Sequence, residues 1–78
     1  MTDTLILYSG QECHLCDLAL AQLEQVSLEH LNNLQKIDVK TDHQLFHLYG
    51  ARIPVFKRTD NNSELGWPFE PEQLKAFL

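Results

Sequence analysis

The chain has 78 residues, which is enough for one domain and leaves no length for a second functional module. Its content of 44% hydrophobic and 22% charged residues excludes a disordered or collagen-like protein. Its net charge of −5 argues against a nucleic-acid partner, because phosphate binding needs clustered Lys and Arg. We expect a single globular domain over residues 1–78, and nothing in the sequence indicates more than a monomer.

No apolar run approaches the ~20 residues that a membrane-spanning helix needs. Residues 1–4 carry no positive charge, and the apolar run 5–7 is too short for the core of a signal peptide. These features predict a cytoplasmic protein. In a reducing compartment its two cysteines are poor candidates for a permanent structural disulfide, so catalytic and metal-binding roles are the alternatives.

The first half of the chain predicts a strand, a helix and a second strand. Residues 5–8 are apolar and end at a Ser-Gly pair, as in a buried strand followed by a turn. From about residue 14 to about residue 30, apolar side chains recur at three- and four-residue steps, which predicts a helix. Residues 34–39 alternate between apolar and polar side chains, as a strand does.

The next segment predicts a shorter helix and a third strand. Thr41 or Asp42 can cap this second helix, and Gly50 closes it. The run Ile53-Pro54-Val55-Phe56 follows and predicts a strand with a proline near its start.

The last segment predicts a hairpin and a final helix. Residues 60–63 are a strong turn signal, and residues 64–67 form the returning strand. Pro71 suits the first turn of a helix, which would bury Leu74, Phe77 and Leu78. The order β-α-β-α-β-β-α predicts an α/β fold with a central four-stranded mixed sheet flanked by helices.

The motif Cys13-His14-Leu15-Cys16 lies between the first strand and the first helix. At a helix N-terminus, free N–H groups and the helix dipole favour a thiolate over a thiol, and the thiolate is the nucleophile. Cys16 lies one turn further on the same face, where it can resolve a mixed disulfide at Cys13. This context predicts redox-active catalytic residues at Cys13 and Cys16.

Charged neighbours would tune this pair. His14 can add positive charge or a hydrogen bond beside the Cys13 thiolate, which makes the disulfide more oxidising. Glu12 and Asp17 act in the opposite direction, because they repel a thiolate.

At this point the chain resembles the thioredoxin superfamily, and within it the small bacterial glutaredoxin-like proteins. The resemblance rests on residues 5–9, the Cys13–Cys16 motif and residues 49–55, and the order of elements covers essentially the whole chain. It implies a thiol–disulfide oxidoreductase that acts on protein or small-molecule disulfides. Its partner would be a disulfide-containing protein or a reductant of the glutathione or thioredoxin type.

The resemblance also implies a second part of the site. In that superfamily the proline matching Pro54 is cis and packs against the CxxC motif, and the backbone of the residue matching Ile53 pairs with an extended substrate. Arg52, next to this pair, is a candidate for contacting an anionic group of a partner. Tyr8, at the end of the first strand, is a further candidate substrate contact.

Glutathione is a candidate reductant, but its usual binding motif is not clearly present. Glutaredoxins that use it carry Gly-Gly and an acidic residue after the third strand, where this chain has Glu64-Leu65-Gly66-Trp67. A basic residue often precedes their CxxC motif, where this chain has Gln11-Glu12. No bound cofactor is expected.

Two other functions stay open. The first is a non-catalytic binding or redox-sensing module, which the departures from the glutathione motif favour. The second is a metal site at Cys13 and Cys16, which ranks last because zinc normally needs four ligands. His43 and His47 have a ligand-like spacing, but the predicted topology places their helix away from the CxxC motif.

Overall fold

The computed structural model describes residues 5–78, and the prediction about a leader in residues 1–4 lies outside them. The described part has four strands, β1 (Leu5–Ser9), β2 (Leu34–Asp38), β3 (Val55–Arg58) and β4 (Glu64–Gly66). They form one mixed sheet with the strand order β2-β1-β3-β4. β2 pairs with β1 in parallel, whereas β1 with β3 and β3 with β4 are antiparallel. The predicted four-stranded mixed sheet is confirmed.

The helices lie between and after the strands. They are α1 (His14–Val26), α2 (Leu28–Asn32), α3 (His43–Tyr49) and α4 (Pro71–Phe77), with a short 3₁₀ helix at Val39–Thr41. β1 and β2 pair in parallel, and the helices α1 and α2 connect them, so these four elements form a βαβ unit. β3 and β4 form the closing hairpin, as predicted.

One face of the sheet packs against α1 and α4. Side chains alternate along a strand, so Leu5 and Leu7 point to this face together with Phe56 of β3. Ala19 and Leu23 of α1 join them, and the remaining members of the same cluster are Phe69 and Leu74. This apolar cluster fixes the position of α1 on the sheet and therefore the position of the motif at its N-terminus.

The opposite face of the sheet is covered by α3. Tyr8 and Val55 point to this side and pack with Val39 and with Tyr49 of α3. The rings of Tyr8 and Tyr49 are stacked, with centroids 4.3 Å apart and planes inclined by 11°. The two cores lie on opposite faces, as the helix–sheet–helix layering of an α/β domain requires.

The prediction of one helix over residues 14–30 is wrong in one respect, because the helix is interrupted at Ser27 and continues as two separate helices. Ser27 has an extended backbone (φ −158°, ψ 100°) and ends α1, and its hydroxyl caps the separate helix α2. The Ser27 Oγ atom accepts a hydrogen bond from His30 N at 3.3 Å. A serine hydroxyl competes for backbone N–H groups in this way, and here the cap replaces helix continuation.

The third strand begins later than predicted, at Val55 rather than Ile53. The Ile53–Pro54 peptide bond is cis, and a proline has no N–H to donate to a sheet. The second helix predicted from the sequence is α3, and its predicted cap is confirmed at Asp42. The Asp42 carboxylate accepts hydrogen bonds from Gln44 N and Leu45 N. Within residues 5–78, no helix has the length and apolar character to cross a membrane.

Candidate functional site

Cys13 and Cys16 are joined by a disulfide at the N-terminus of α1, with Cα atoms 5.2 Å apart. The loop of residues 10–12 carries the chain from the end of β1 to Cys13, which is the N-cap residue of the helix. In this loop Glu12 has a positive φ of 55°, a conformation that is uncommon outside glycine and makes the turn tight. The fold thus presents the disulfide at the end of the sheet where β1 leads into α1.

The two cysteine residues differ in exposure. Cys13 is half-buried, whereas Cys16 is only 2% exposed. The Cys13 Sγ atom accepts a hydrogen bond from the backbone N of Cys16 at 3.1 Å. Cys13 is therefore the more accessible of the two residues, and its sulfur already accepts a backbone hydrogen bond of the kind that stabilises a thiolate.

The charged residues around the motif lie where the sequence placed them. His14 is the first residue of α1 and is exposed, and Asp17 is exposed in the first turn of the same helix. Glu12 is exposed in the loop that precedes Cys13. All three are adjacent in sequence to one of the two cysteines and are open to solvent.

A surface cleft of about 340 Å³ opens beside the disulfide. The cleft is lined by both cysteines, by the loop before them and by residues of α1 and β2: Ser9, Gly10, Gln11, Glu12, Cys13, Cys16, Asp17, Lys36 and Asp38. Its lining contains Lys36 and Asp38, which were not among the predicted site residues. They lie on β2 opposite Leu7 and Ser9, so the parallel pairing brings them to the end of β1 where the motif begins.

The Ile53–Pro54 segment lies beside the loop that leads to Cys13. A methyl group at Gly10 would meet Ile53 Cδ1 at 3.0 Å, so the two residues are in close packing. Pro54 is buried, and its carbonyl accepts a hydrogen bond from Trp67 N at 3.1 Å. The N–H of Ile53 donates to the Tyr49 carbonyl at 3.0 Å.

Tyr8 and Arg52 belong to a separate group of side chains around Tyr49. Tyr8 is buried under its stack with Tyr49, and the Arg52 guanidinium lies 5.8 Å from the Tyr49 ring centroid. Arg52 also pairs with Glu64 across 3.8 Å. The cleft beside the disulfide is not lined by Tyr8, Arg52, Ile53 or Pro54, so the predicted site residues are divided between two neighbouring groups.

Glu64 links this second group to the edge strand β4. The Tyr49 hydroxyl donates a hydrogen bond to the Glu64 carboxylate at 2.5 Å. This hydrogen bond, together with burial of the ring, raises the pKa of Tyr49 to about 12. The phenol therefore stays protonated over the whole physiological range, and the residue acts as a structural donor between α3 and β4.

Across residues 5–78, no group of three or more His, Cys, Asp or Glu side chains is arranged to hold a metal ion. His43 and His47 are exposed on α3, which covers the other face of the sheet from α1. The donor set near Cys13 and Cys16 therefore does not fit a metal centre built with these histidines.

Comparison with known proteins identifies the family. A profile described as "Glutaredoxin-like domain (DUF836)" matches residues 4–78, which is nearly the whole chain. The chain belongs to this glutaredoxin-like domain family. No curated protein matches it.

Solved structures support the same assignment for this glutaredoxin-like domain. The X-ray structure of protein XcR50 from X. campestris is 34% identical and superposes with a TM-score of 0.84, covering 95% of this chain and 93% of that one. The solution structure of protein Ne2328 from Nitrosomonas europaea is 25% identical with a TM-score of 0.80, covering 100% and 93%. The thioredoxin-like fold of this glutaredoxin-like domain is therefore established.

Proposed function

We propose that the protein is a thiol–disulfide oxidoreductase that uses the Cys13–Cys16 couple on protein or small-molecule disulfides. The observation that carries the proposal is the disulfide across the N-terminus of α1, with a half-buried Cys13 and a buried Cys16. Cys13 is the more exposed residue of the pair, and Cys16 is buried one turn further along α1. This is the arrangement that a two-step exchange needs.

The reaction balances as a two-electron exchange. The Cys13 thiolate attacks one sulfur of a substrate disulfide, forms a mixed disulfide and releases the first substrate thiolate, which takes up a proton. Cys16, as a thiolate, then attacks the Cys13 sulfur and releases the second substrate thiol. The protein ends as the Cys13–Cys16 disulfide and the substrate as two thiols, and an external thiol of the glutathione or thioredoxin type returns the protein to its dithiol form.

The start of α1 supports the first step. The backbone N–H of Cys16 is already directed at the Cys13 sulfur, and α1 adds the positive end of its dipole. Both interactions favour the thiolate at Cys13. His14, exposed beside it, would add a tunable positive charge when protonated.

The Ile53–Pro54 segment would hold an extended substrate next to Cys13. Its packing against Gly10 supports this role. Because the Ile53 N–H is already bonded to Tyr49, the substrate would pair through the Ile53 carbonyl. Arg52 would add a contact with an anionic group after leaving Glu64, whereas the buried Tyr8 would act through the position of Tyr49.

Single-turnover reduction of an uncharged disulfide tests the proposal. The protein is reduced, freed of reductant and mixed with hydroxyethyl disulfide, and the remaining thiols are alkylated and counted by intact mass. We expect about one substrate disulfide consumed for each protein disulfide formed, with an alkylated protein as the inert control. A protein that keeps both thiols while the substrate stays oxidised would contradict the proposed function.

A further inference from the structure

The cleft beside the disulfide has more acidic than basic side chains in its lining. Three lining residues are carboxylates, Glu12, Asp17 and Asp38, and one lining residue is a cation, Lys36. The lining therefore carries a formal charge of −2, within a chain whose net charge is −5. A disulfide that enters this cleft therefore meets an excess of two negative charges on the lining.

The three carboxylates come from the loop before Cys13, from α1 and from β2, and all of them line the cleft. Glu12 precedes Cys13 in the loop, and Asp17 lies in the first turn of α1. Asp38 ends β2 opposite Ser9, where its carboxylate accepts a hydrogen bond from Lys40 N at 2.9 Å. That hydrogen bond fixes the side chain but adds no formal charge, so it leaves the negative balance of the cleft unchanged.

We infer that the cleft selects cationic disulfides, such as those in a basic segment of a protein, over anionic ones such as glutathione disulfide. This rests on the proposed function, because selectivity requires that Cys13 react with disulfides at all. Glutathione carries more carboxylates than ammonium groups, so the cleft repels it both as an oxidised substrate and as a reductant. A cationic disulfide is attracted by the same charges, and the rate of the first exchange step rises.

The exchange itself is unchanged by this selectivity. The reduced Cys13–Cys16 pair gives two electrons to the cationic disulfide, and the products are the protein disulfide and two cationic thiols. Of the glutathione and thioredoxin types of reductant, the inference disfavours the glutathione type, since the reductant that renews the protein must be a thiol compound that the cleft does not repel. An uncharged dithiol meets this requirement.

Three small disulfides that differ in charge test the inference. Single-turnover rates of the reduced protein are measured with cystamine, a dication, with uncharged hydroxyethyl disulfide and with anionic glutathione disulfide. Each rate is divided by the rate of the same disulfide with free dithiothreitol, which corrects for intrinsic reactivity. We expect the corrected rate for cystamine to exceed that for glutathione disulfide about tenfold at low ionic strength.

Salt and charge variants separate electrostatics from shape. The preference should fall toward unity near 1 M salt, because the screening length drops to about 3 Å. Glu12→Gln and Asp17→Asn should each lower the preference about two- to threefold, and Lys36→Gln should raise it by a similar factor. Glu72→Gln, on the exposed first turn of α4 away from the cleft, is the matched control and should leave it unchanged.

If Glu12→Gln lowers the preference for cystamine and Lys36→Gln raises it, general damage to the fold cannot explain both changes. Equal corrected rates for cystamine and glutathione disulfide, or a preference that salt does not change, would overturn the inference while leaving the proposed function intact. Failure to reduce the uncharged disulfide would instead contradict the proposed function and the inference together.

Discussion

Replacing Cys13 by Ser should lower single-turnover disulfide reduction by at least about 1,000-fold, because the exposed nucleophile is lost. Replacing Cys16 by Ser should leave the first exchange step intact and stop the second. One half of the substrate then stays bonded to Cys13 as a mixed disulfide, since the Cys16 thiol that would release it is absent. Intact-mass measurement after reaction with hydroxyethyl disulfide should show one substrate half on the Cys16→Ser protein and none on the Cys13→Ser protein.

The comparison of the Cys13→Ser and Cys16→Ser variants requires that both are folded like the reduced wild-type protein. The circular dichroism of each should therefore match that of the reduced wild-type protein, which also lacks the Cys13–Cys16 bond. An adduct on the Cys13→Ser protein but not on the Cys16→Ser protein would reverse the roles. Equal residual activity in both variants would contradict the division of labour between an exposed and a buried cysteine.

Replacing Phe56 by Ala should destabilise the fold by about 3–5 kcal/mol. Phe56 is fully buried in β3, pairs in register with Leu7, and its ring centroid lies 5.6 Å from that of Phe69. The substitution removes apolar contacts and leaves a cavity between the sheet and the helices that carry the motif. At about 0.05–0.15 kcal/mol per residue, the stability of a domain of this size is only about 4–12 kcal/mol, so the loss is a large share.

Urea unfolding followed by circular dichroism measures the change in the free energy of unfolding. The matched control is Phe46→Ala on α3, where the same side chain is 50% exposed, and its cost should stay below about 1 kcal/mol. If Phe56→Ala is unfolded without urea, Phe56→Leu gives a smaller and measurable loss of about 1 kcal/mol. Similar costs at positions 56 and 46 would contradict the assignment of Phe56 to the core.

Local patterns were sufficient to predict most of the fold. The apolar run of residues 5–8, the helical spacing after Cys16 and the Asp42 cap are all signals that act over a few residues. The order of these elements then predicted a mixed sheet, because strands that alternate with helices usually pair in parallel and a hairpin pairs antiparallel. It did not predict that β3 pairs antiparallel with β1, although the helix α3 precedes β3. The position of the CxxC motif followed from the same local signals.

The break at Ser27 could not be predicted from the apolar spacing. Leu23, Val26 and Leu31 continue a helical pattern across it, and a serine in that pattern is tolerated in a helix. The break depends on the hydroxyl of Ser27 bonding to His30, both through the backbone N and through Nδ1 at 2.7 Å. Whether Ser27 caps a new helix or continues the first one depends on tertiary packing, which the spacing of apolar residues does not show.

Lys36 and Asp38 were missed because their place in the site depends on strand register. They are about 20 residues beyond the cysteines in the sequence, and only the pairing of Leu7 with Lys36 and of Ser9 with Asp38 brings them to the cleft. One signal was available, since the carboxyl ends of neighbouring parallel strands meet at one edge of a sheet. Glu64 was also missed as a partner of Tyr49 and Arg52, because it lies on β4 and only the tertiary fold brings it to them.

A redox titration of the intact protein tests the central claim, that Cys13 and Cys16 form a working dithiol/disulfide couple. The protein is equilibrated in thiol–disulfide buffers of defined potential, its free thiols are trapped by alkylation, and the alkyl groups are counted by mass. We expect a single two-electron transition in which both alkyl groups are gained or lost together. Two cysteines that stay reduced at every potential, or a stable adduct of the buffer thiol at Cys13 in place of the internal disulfide, would contradict the account.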